Sequence, residues 1–460
     1  MWANVQTLPG PACHVCPQRA FMSLEKVPLT IATWFLLIGA LLVMMGLRTP
    51  ILQRLNLTSS LVYLIIGVTL GPSIFGVFHF NPLEQADFLA VLAELAVLLS
   101  VFIAGMKMPV PFSWPEWNAP VRLAFISMTI SVALTAAFGY YLLNLPLGAA
   151  ILLGGILAPT DPVLATAVQS RHMGDQDPFR LTLTSEAGMN DGSASPFVML
   201  GLAMLVTPAS YDMLGAWVLK DVLWSTVSAI VVGIVVGHVL AQIIWKHHFH
   251  SREGLLLDDF LGLGLIGLVY GFCLMIDAWG FLGVFVAAIS LRQSELKLAS
   301  LNAFNAPTNN LEATPDASTP PITPKLRLSA QVSEGSLMFK EPLERLSELM
   351  LVLMLGGMLF LDSWSFRAVG LALTLFIVIR PISVFIGLFG TGAPFRLQAL
   401  VGWFGVRGIG SIYYLMFAIA FGLPEELALE LIHITLVVVV LSIVLHGLTV
   451  NPMMSKWWKP

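Results

Sequence analysis

The sequence predicts an all-α integral membrane protein, and its composition is the first reason. Of its 460 residues, 57% are hydrophobic and only 11% are charged, and the mean hydropathy is +0.85. A soluble domain carries about 25% charged and roughly 45–50% apolar residues. The composition therefore excludes a water-soluble globular protein and a disordered one. The net charge of −4, without a basic patch, argues against nucleic acid as a partner.

The spacing of the apolar residues is the second reason. A helix needs about 20 mostly apolar residues to cross a bilayer, and the chain contains about 13 such stretches. They lie at residues 28–47, 59–79, 87–107, 121–143, 147–169, 180–206, 221–245, 258–276, 279–292, 345–362, 367–389, 396–421 and 427–449.

The positive charges predict the orientation of these spans. Of the 23 Lys and Arg residues, 17 lie in loops after odd-numbered spans or in the C-terminal tail. An excess of Lys and Arg marks the cytoplasmic side of a membrane. We therefore expect a multi-pass protein of the cell (plasma) membrane, with its N-terminus outside and its C-terminus in the cytoplasm.

The spans divide the chain into five regions. These are a polar tail at 1–27, spans one to nine at 28–292, a linker at 293–344, spans ten to thirteen at 345–450 and a cytoplasmic tail at 451–460. The linker is rich in Asn, Pro, Thr and Ser, and we expect it to be a flexible cytoplasmic segment. In the N-terminal tail, Cys13 and Cys16 form one C-x-x-C pair, which is too weak a signal to predict a metal site.

Six ionisable side chains are predicted at membrane depth. They are Glu94, Asp161, Glu186, Asp191, Arg380 and Arg407. A charge at the centre of a membrane helix costs roughly 3 kcal/mol on insertion scales, so such residues pair with one another or line a cavity. Function is the default hypothesis for each of them, and structural pairing is the alternative.

The fifth span contains a predicted helix break. Pro159 and Pro162 flank Thr160 and Asp161, and each proline removes a backbone donor, so the helix should end near the middle of the bilayer. Carbonyl groups, a hydroxyl and a carboxylate then converge, as they do in the cation sites of secondary transporters. The alternative is a kinked helix in which Asp161 is only hydrogen-bonded.

The sixth span carries Asp191 near its middle, with Asn190 beside it. At 3.6 residues per turn, small residues gather on one face, where they allow close helix approach. These are Ser185, Gly188, Gly192 and Ser195. Asp191 lies at the edge of this face and is placed to meet Asp161. Glu186 projects about 140° away from Asp191, which indicates a separate partner.

The eleventh and twelfth spans carry the two arginines. Arg380 requires a carboxylate at its depth, and Glu186 is the expected partner. Arg407 is surrounded by glycines that loosen the twelfth span, or that serve packing alone. The fifth and twelfth spans cross in opposite directions, and two irregular helices in that relation are typical of an inverted repeat around a midplane site. Glu94 in the third span is either a third carboxylate of this site or a paired core residue.

Five motifs together resemble the monovalent cation:proton antiporter superfamily, and within it the sodium/proton exchanger branch. They are A-P-T-D-P-V at 158–163, S-E-x-x-x-N-D at 185–191, R-P at 380–381, G-V-R-G at 405–408 and H-G-L-T at 446–449. The resemblance covers about residues 28–450. It implies a thirteen-helix fold with inverted repeats, two broken helices that cross, a homodimer and alternating access of an elevator type.

The resemblance also implies roles for residues in spans five, six, twelve and thirteen, the expected ion-binding core. The ion- and proton-binding group comprises Asp191, Asp161, Asn190 and Thr160, with Asp191, Asp161 and Thr160 as candidate Na⁺ ligands. Glu186 and Arg380 match the stabilising ion pair of the family, and secondary candidates are Arg407, Glu94 and Ser185. The order Asn190-Asp191 resembles members that exchange one cation for one proton.

These observations predict a secondary active antiporter, not an enzyme, that exchanges H⁺ for a monovalent cation. Burial disfavours the charged form of a carboxylate and a bound cation favours it, so a proton and a cation compete for Asp191. Na⁺ is the favoured cation, with K⁺ or Li⁺ as alternatives, and no cofactor is expected. The expected partners are a second copy of the chain and membrane lipid. The competing hypotheses are a K⁺/H⁺ antiporter, an ion channel and an intramembrane aspartyl enzyme, whose Gly-x-Gly-Asp signature is absent.

Overall fold

The structure of the protein is a computed structural model, and it describes residues 31–47, 58–108, 112–161, 168, 170, 175, 177–207, 210–248, 254–304 and 324–458. The described residues fold mainly into helices. The first seven helices are α1 (Ile31–Leu47), α2 (Ser59–Leu70), α3 (Ala86–Lys107), α4 (Trp114–Leu142), α5 (Leu147–Leu157), α6 (Pro178–Val206) and α7 (Tyr211–Trp217, continuing through Ser225–His248). The remainder are α8 (Gly254–Met275), α9 (Gly280–Phe304), α10 (Pro324–Met358), α11 (Phe366–Gly387), α12 (Phe395–Trp403), α13 (Ile409–Ala420) and α14 (Glu425–Trp457).

Each predicted span contains a helix, and the structure is therefore all-helical where it is described. Five of the described helices, α3, α4, α7, α11 and α14, are long and apolar enough by length and composition to cross a membrane. Helix α5 ends at Leu157, inside the predicted fifth span, and α13 begins at Ile409, inside the predicted twelfth span, so both are shorter than the spans.

Two helices extend beyond the spans that hydropathy predicts. Helix α9 continues to Phe304 and α10 begins at Pro324, so both enter the region 293–344 that the sequence predicts as a flexible linker. Hydropathy reports only the apolar part of a helix, and a polar extension of the same helix gives no such signal. Residues 305–323, and the tail at 1–27 with its cysteine pair, lie outside the described residues.

The start of α6 follows directly from its sequence. Asp177 is the N-cap, and its carboxylate accepts hydrogen bonds from the backbone N–H groups of Phe179 (3.0 Å) and Arg180 (3.4 Å). Pro178 occupies the first helical position, where its missing N–H costs nothing. The indole of Trp458 also donates to Asp177 at 2.9 Å, so the end of the chain packs against the start of α6.

The helices pack as two groups. The site bundle comprises α4–α6 and α11–α14, and the flanking bundle comprises α2, α3 and α7–α10. Each half of the site bundle contains, in the same order, a helix with a π-helical stretch (Leu123–Ser127 in α4, Leu375–Ile379 in α11), a broken segment and a long helix. The two bundles meet mainly where α3 packs along α13 and where α9 packs against α6.

Glycines allow a close approach between α2 and α10 in the flanking bundle. A methyl group added at Gly356 would lie 2.6 Å from the Cα of Gly67, and one added at Gly67 would lie 2.8 Å from the Leu353 carbonyl oxygen. These obstacles are backbone atoms, which cannot turn away as a side chain does. The contact therefore depends on the absence of a side chain at both glycines.

We expect Gly356→Ala to lower the melting temperature of the purified protein. Overpacking at a close contact costs about 1–3 kcal/mol. The matched control is Gly264→Ala, because Gly264 is helical and exposed and has nothing within 4 Å of an added methyl group. That change should hold or slightly raise the melting temperature through helix propensity. Equal melting temperatures for the two variants would contradict the glycine contact.

Candidate ion-binding site

Two helices of the site bundle are interrupted at the same place. Helix α5 ends at Leu157, ahead of the non-helical Thr160 and Asp161, and residues 404–408 separate α12 from α13. The Asp161 N–H donates to the Val406 carbonyl at 2.8 Å, which joins one interruption directly to the other. The structure thus shows a break at both positions where the sequence predicts one.

Each break places a charged side chain against backbone groups of the other break. The guanidinium of Arg407 donates through Nη1 to the carbonyl oxygens of Ala158 and Pro159, the latter at 2.9 Å, where α5 ends. The Asp161 carboxylate accepts from the Ile409 N–H at the first residue of α13. A cation at a helix C-terminus and an anion at a helix N-terminus are the favourable placements in the field of the helix dipole. Arg407 and Asp161 therefore compensate backbone groups that membrane burial would otherwise leave unpaired.

Helix α6 brings the remaining predicted ligands to this place. Asn190 donates through Nδ2 to Thr160 Oγ1 at 2.6 Å, and the side chains of Asn190 and Asp191 are buried. Among the described residues, neither Asn190 Oδ1 nor Asp191 Oδ1 has a hydrogen-bond partner. Buried acceptors of this kind almost always have one. The two unpaired oxygens therefore make this place the candidate ion-binding site.

Gly410, in the first turn of α13, lies beside Asp191 Oδ1. A methyl group at this glycine would lie 2.5 Å from Asp191 Oδ1. The side chain of Asp191 on α6 and that of Asp161 at the first break thus approach consecutive residues, Gly410 and Ile409. The expected meeting of the two aspartates therefore takes place around the start of α13.

Glu186 and Arg380 form a separate buried pair. Their two hydrogen bonds are 2.6 and 2.8 Å long, and Arg380 also donates to the Val401 carbonyl at 3.3 Å. A bidentate pair of this kind fixes geometry as well as charge. The pair connects α6 with α11, as the sequence predicts. Its contribution to stability remains a prediction.

The small residues of α6 have the packing role that the sequence predicts. A methyl group at Gly192 would lie 2.7 Å from Leu282 Cβ, and one at Gly188 would overlap the ring of Phe285, so α9 approaches α6 closely here. Ser185 donates to Met108 Sδ at 2.7 Å.

Glu94 has its described contacts with tyrosines. Its Oε1 accepts from the hydroxyl of Tyr270 and, at 3.4 Å, from that of Tyr413. Of the two sequence interpretations of Glu94, these contacts favour the paired residue over a third carboxylate of the ion site.

Sequence analysis did not identify two further contributors. The hydroxyl of Tyr414 donates to the Asp191 carbonyl and lies 2.6 Å from Ser195 Oγ, and Ser442 Oγ accepts from the Arg407 N–H at 2.7 Å. A tyrosine and a serine in apolar helices give no sequence signal of their own. Their partners are more than 30 residues away in the chain.

The atoms of this site that could bind a cation are hard oxygen atoms of carboxylate, amide and hydroxyl groups. Within the described residues, no group of three or more His, Cys, Asp or Glu side chains is arranged to hold a metal ion. The oxygen donors at the helix breaks suit alkali cations rather than transition metals. A bound alkali cation here would be the transported substrate.

Comparison with known proteins agrees with this geometry. The family described as sodium/hydrogen exchanger, transmembrane, matches residues 36–305 and 327–456. A K(+)/H(+) antiporter NhaP of Alkalimonas amylolytica is 26% identical over 444 residues, which cover 95% of this chain and 68% of that relative. A Na(+)/H(+) antiporter NhaH of Halobacillus aidingensis is 24% identical over 424 residues, which cover 86% of this chain and 90% of that relative.

A solved structure has the same fold. The sodium proton antiporter MjNhaP1 of Methanocaldococcus jannaschii, determined at pH 8, superposes with a TM-score of 0.68 at 18% identity, covering 92% of this chain and 97% of that one. The family match spans most of the chain. This protein therefore belongs to the sodium/hydrogen exchanger family, and it is a multi-pass membrane antiporter of monovalent cations and protons rather than an enzyme.

Proposed function

We propose that the protein exchanges one Na⁺ for one H⁺, and that the two ions compete for the carboxylate of Asp191. The observation that carries the proposal is the acceptor oxygen Oδ1 of Asp191, which is buried and has no hydrogen-bond partner among the described residues. A buried carboxylate of this kind is favoured either as the neutral acid or as the ligand of a cation. Binding of one ion therefore releases the other.

The surroundings of Asp191 supply further ligands for the cation. Thr160 Oγ1 accepts the amide N–H of Asn190, and that arrangement turns the amide oxygen away from Thr160. In this orientation Asn190 Oδ1 is a second acceptor without a partner among the described side chains. Together with the carboxylates of Asp191 and Asp161, these oxygens give a small set of hard ligands. Such a set suits Na⁺ and excludes large organic cations by size.

The different bonding of the two aspartates supports a ratio of one to one. Asp161 accepts the N–H of Ile409 at the positive end of α13, a position that favours a carboxylate. Asp191 lacks such a bond at Oδ1. A single exchanging carboxylate carries one proton or one cation, so each cycle moves equal charge in both directions.

Potassium is the second candidate cation. A relative that aligns with 95% of this chain has a name that refers to K⁺ and H⁺, whereas the relative from Halobacillus aidingensis is named for Na⁺ and H⁺. The two ions share the same ligand chemistry and differ in size. Size discrimination by a site of this kind depends on how rigidly the oxygens are held.

Reconstitution of the purified protein in liposomes tests the exchange. With an acidic interior and a pH-sensitive dye, added Na⁺ should dissipate the gradient, while choline should not. The rate should not respond to an imposed membrane potential if the ratio is one to one. A larger response to K⁺ than to Na⁺ would favour the K⁺/H⁺ alternative, and proton flux without any cation requirement would favour a channel.

Asp191→Asn should abolish the cation-dependent signal while the variant elutes as a folded protein. The amide preserves the size of the side chain and removes the group for which both ions compete. Glu116→Gln is a matched control, because it neutralises a carboxylate in the first turn of α4, where no proposed ligand lies. Coupled exchange that persists in Asp191→Asn would refute the assignment of Asp191.

Gly410→Ala should lower the exchange rate at least tenfold with little change in melting temperature. The added methyl group would stand 2.5 Å from Asp191 Oδ1, at the proposed position of the ion. The obstacle is the end of a side chain, which can turn aside, and not backbone as at Gly356, so the change should weaken ion binding more than folding. A loss of about 1.4 kcal/mol in ion binding corresponds to about tenfold. In the control Gly402→Ala, the methyl group would lie 3.4 Å from Pro381 Cα, an ordinary contact distance. Normal exchange by Gly410→Ala would place the ion elsewhere.

We further propose a homodimer in the cell membrane, with α7 at its interface. The outward face of α7 carries a row of exposed apolar side chains, and such a face must meet lipid or protein. These are Val227, Val231, Val235 and Val239. A cysteine at Val231 should cross-link two copies in native membranes, whereas one at Phe389, which is exposed on the site bundle, should not. A monomeric product for both variants would contradict this interface.

A further inference from the structure

A half-buried carboxylate, Glu94, lies where the two bundles meet. Glu94 of α3 accepts hydrogen bonds from two tyrosines through the same oxygen, Oε1. Tyr270 belongs to α8 and therefore to the flanking bundle, as Glu94 does. Tyr413 belongs to α13 of the site bundle, and its hydroxyl lies 3.4 Å from the carboxylate. The second bond thus connects the bundle that contains the ion site to the bundle beside it.

Tyr414, which follows Tyr413 in α13, connects this helix to the ion site. Tyr414 donates its hydroxyl to the Asp191 carbonyl and pairs with Ser195 Oγ at 2.6 Å. Tyr413 and Tyr414 are consecutive, and their ring centroids are 5.0 Å apart. Helix α13 is therefore hydrogen-bonded to α6 through Tyr414 and to α3 through Tyr413. A displacement of α13 and α6 together relative to α3 would keep the bonds of Tyr414 and break the bond between Tyr413 and Glu94.

An aromatic ring closes the space around this bond. Phe281 of α9 stacks on Tyr270 with a centroid distance of 5.9 Å and meets Tyr413 edge-on at 5.1 Å. Phe281 is 4% exposed and Tyr413 is 8% exposed, so water has little access from this direction. Glu94, Tyr270, Tyr413 and Phe281 thus form one connected cluster between the bundles, which we call the plug.

The plug lies between the ion site and one membrane surface. Asp191 Oδ1 lies beside Gly410 in the first turn of α13, and Tyr413 is one turn further along that helix. Glu94 is eight residues from the start of α3 at Ala86, which corresponds to roughly 12 Å along the helix. The plug therefore lies on the side of the Asp191 site that faces the start of α3.

We propose that Glu94, Phe281 and Tyr413 form the gate that closes the ion site on the side where α3 begins, and that the gate opens when Tyr413 leaves Glu94. The proposal rests on the antiport function proposed above, since alternating access requires one side to be shut while the other is open. Tyr270 holds Glu94 in position from within the flanking bundle. Glu94 and Tyr413 are accordingly gating residues and do not bind the transported ion.

Sided cysteine labelling tests the gate without requiring transport. The reporter is Ser195→Cys, one turn beyond Asp191 on α6, in protein whose three native cysteines are replaced by serine; of these, Cys273 is buried. A membrane-impermeant maleimide is added from the side where α3 begins. We expect Tyr413→Phe to raise the labelling rate about tenfold. The change removes the hydrogen bond to Glu94, which exists only when the gate is closed, and it keeps the aromatic ring that packs against Phe281.

Tyr270→Phe is the matched control. It also removes one hydroxyl donor from Glu94, but the lost bond lies within the flanking bundle. Its labelling rate should stay within about twofold of the parent protein, by the same reasoning. Equal rates for Tyr413→Phe and the parent, or equal increases in both tyrosine variants, would overturn the proposal.

A second variant separates gating from general loosening. Glu94→Met removes the acceptor with a side chain of similar size, and it should raise labelling as much as Tyr413→Phe. The double variant should label no faster than either single one, because all three lack the same bond. Multiplied effects in the double variant would show two independent perturbations and would contradict the gate. If the parent protein shows no antiport in liposomes, these labelling results still decide the gate by themselves.

Discussion

The fold is organised around the mutual compensation of two helix breaks in an apolar environment. In a membrane, a backbone group freed by a break must find a partner within the protein. The carbonyls at the end of α5 accept from Arg407, and the N–H at the start of α13 donates to Asp161. Each break thereby supplies the charge that the other requires. The two interruptions stabilise each other as a pair, and separating them would expose both sets of groups.

This compensation assigns different tasks to the acidic residues of the bundle. Asp161 is occupied by the backbone of α13, and Glu186 is occupied by Arg380. Asp191 stands at the same crossing with an acceptor that no described residue fills. Burial makes that arrangement unfavourable unless an ion binds, and this is the thermodynamic basis of the exchange that we propose. In the proposed cycle, the ion pair and the capped break keep the surroundings constant while the ion on Asp191 changes.

Much of this arrangement could be predicted from residue types and their order. Proline on both sides of Asp161 and glycine around Arg407 indicate breaks because these residues disrupt helices whatever surrounds them. Charges within apolar stretches indicate buried ion pairs. Arg380 is the basic residue at membrane depth in the eleventh span, and this made it the expected partner of Glu186. Hydropathy located the helices but underestimated the lengths of α9 and α10, because the polar extensions of these helices carry no apolar signal.

The sequence by itself determined the membrane class, the helical segments, the broken positions and the identity of the buried charges, because these depend on local composition and on the cost of charge in lipid. Only the tertiary structure decided how those charges are shared. That Asp161 binds the start of α13, that Tyr414 reaches Asp191, and that Glu94 pairs with tyrosines on two other helices are results of packing. Hydrogen bonds between helices remote in the chain depend on how the helices are arranged, and no local pattern encodes that arrangement.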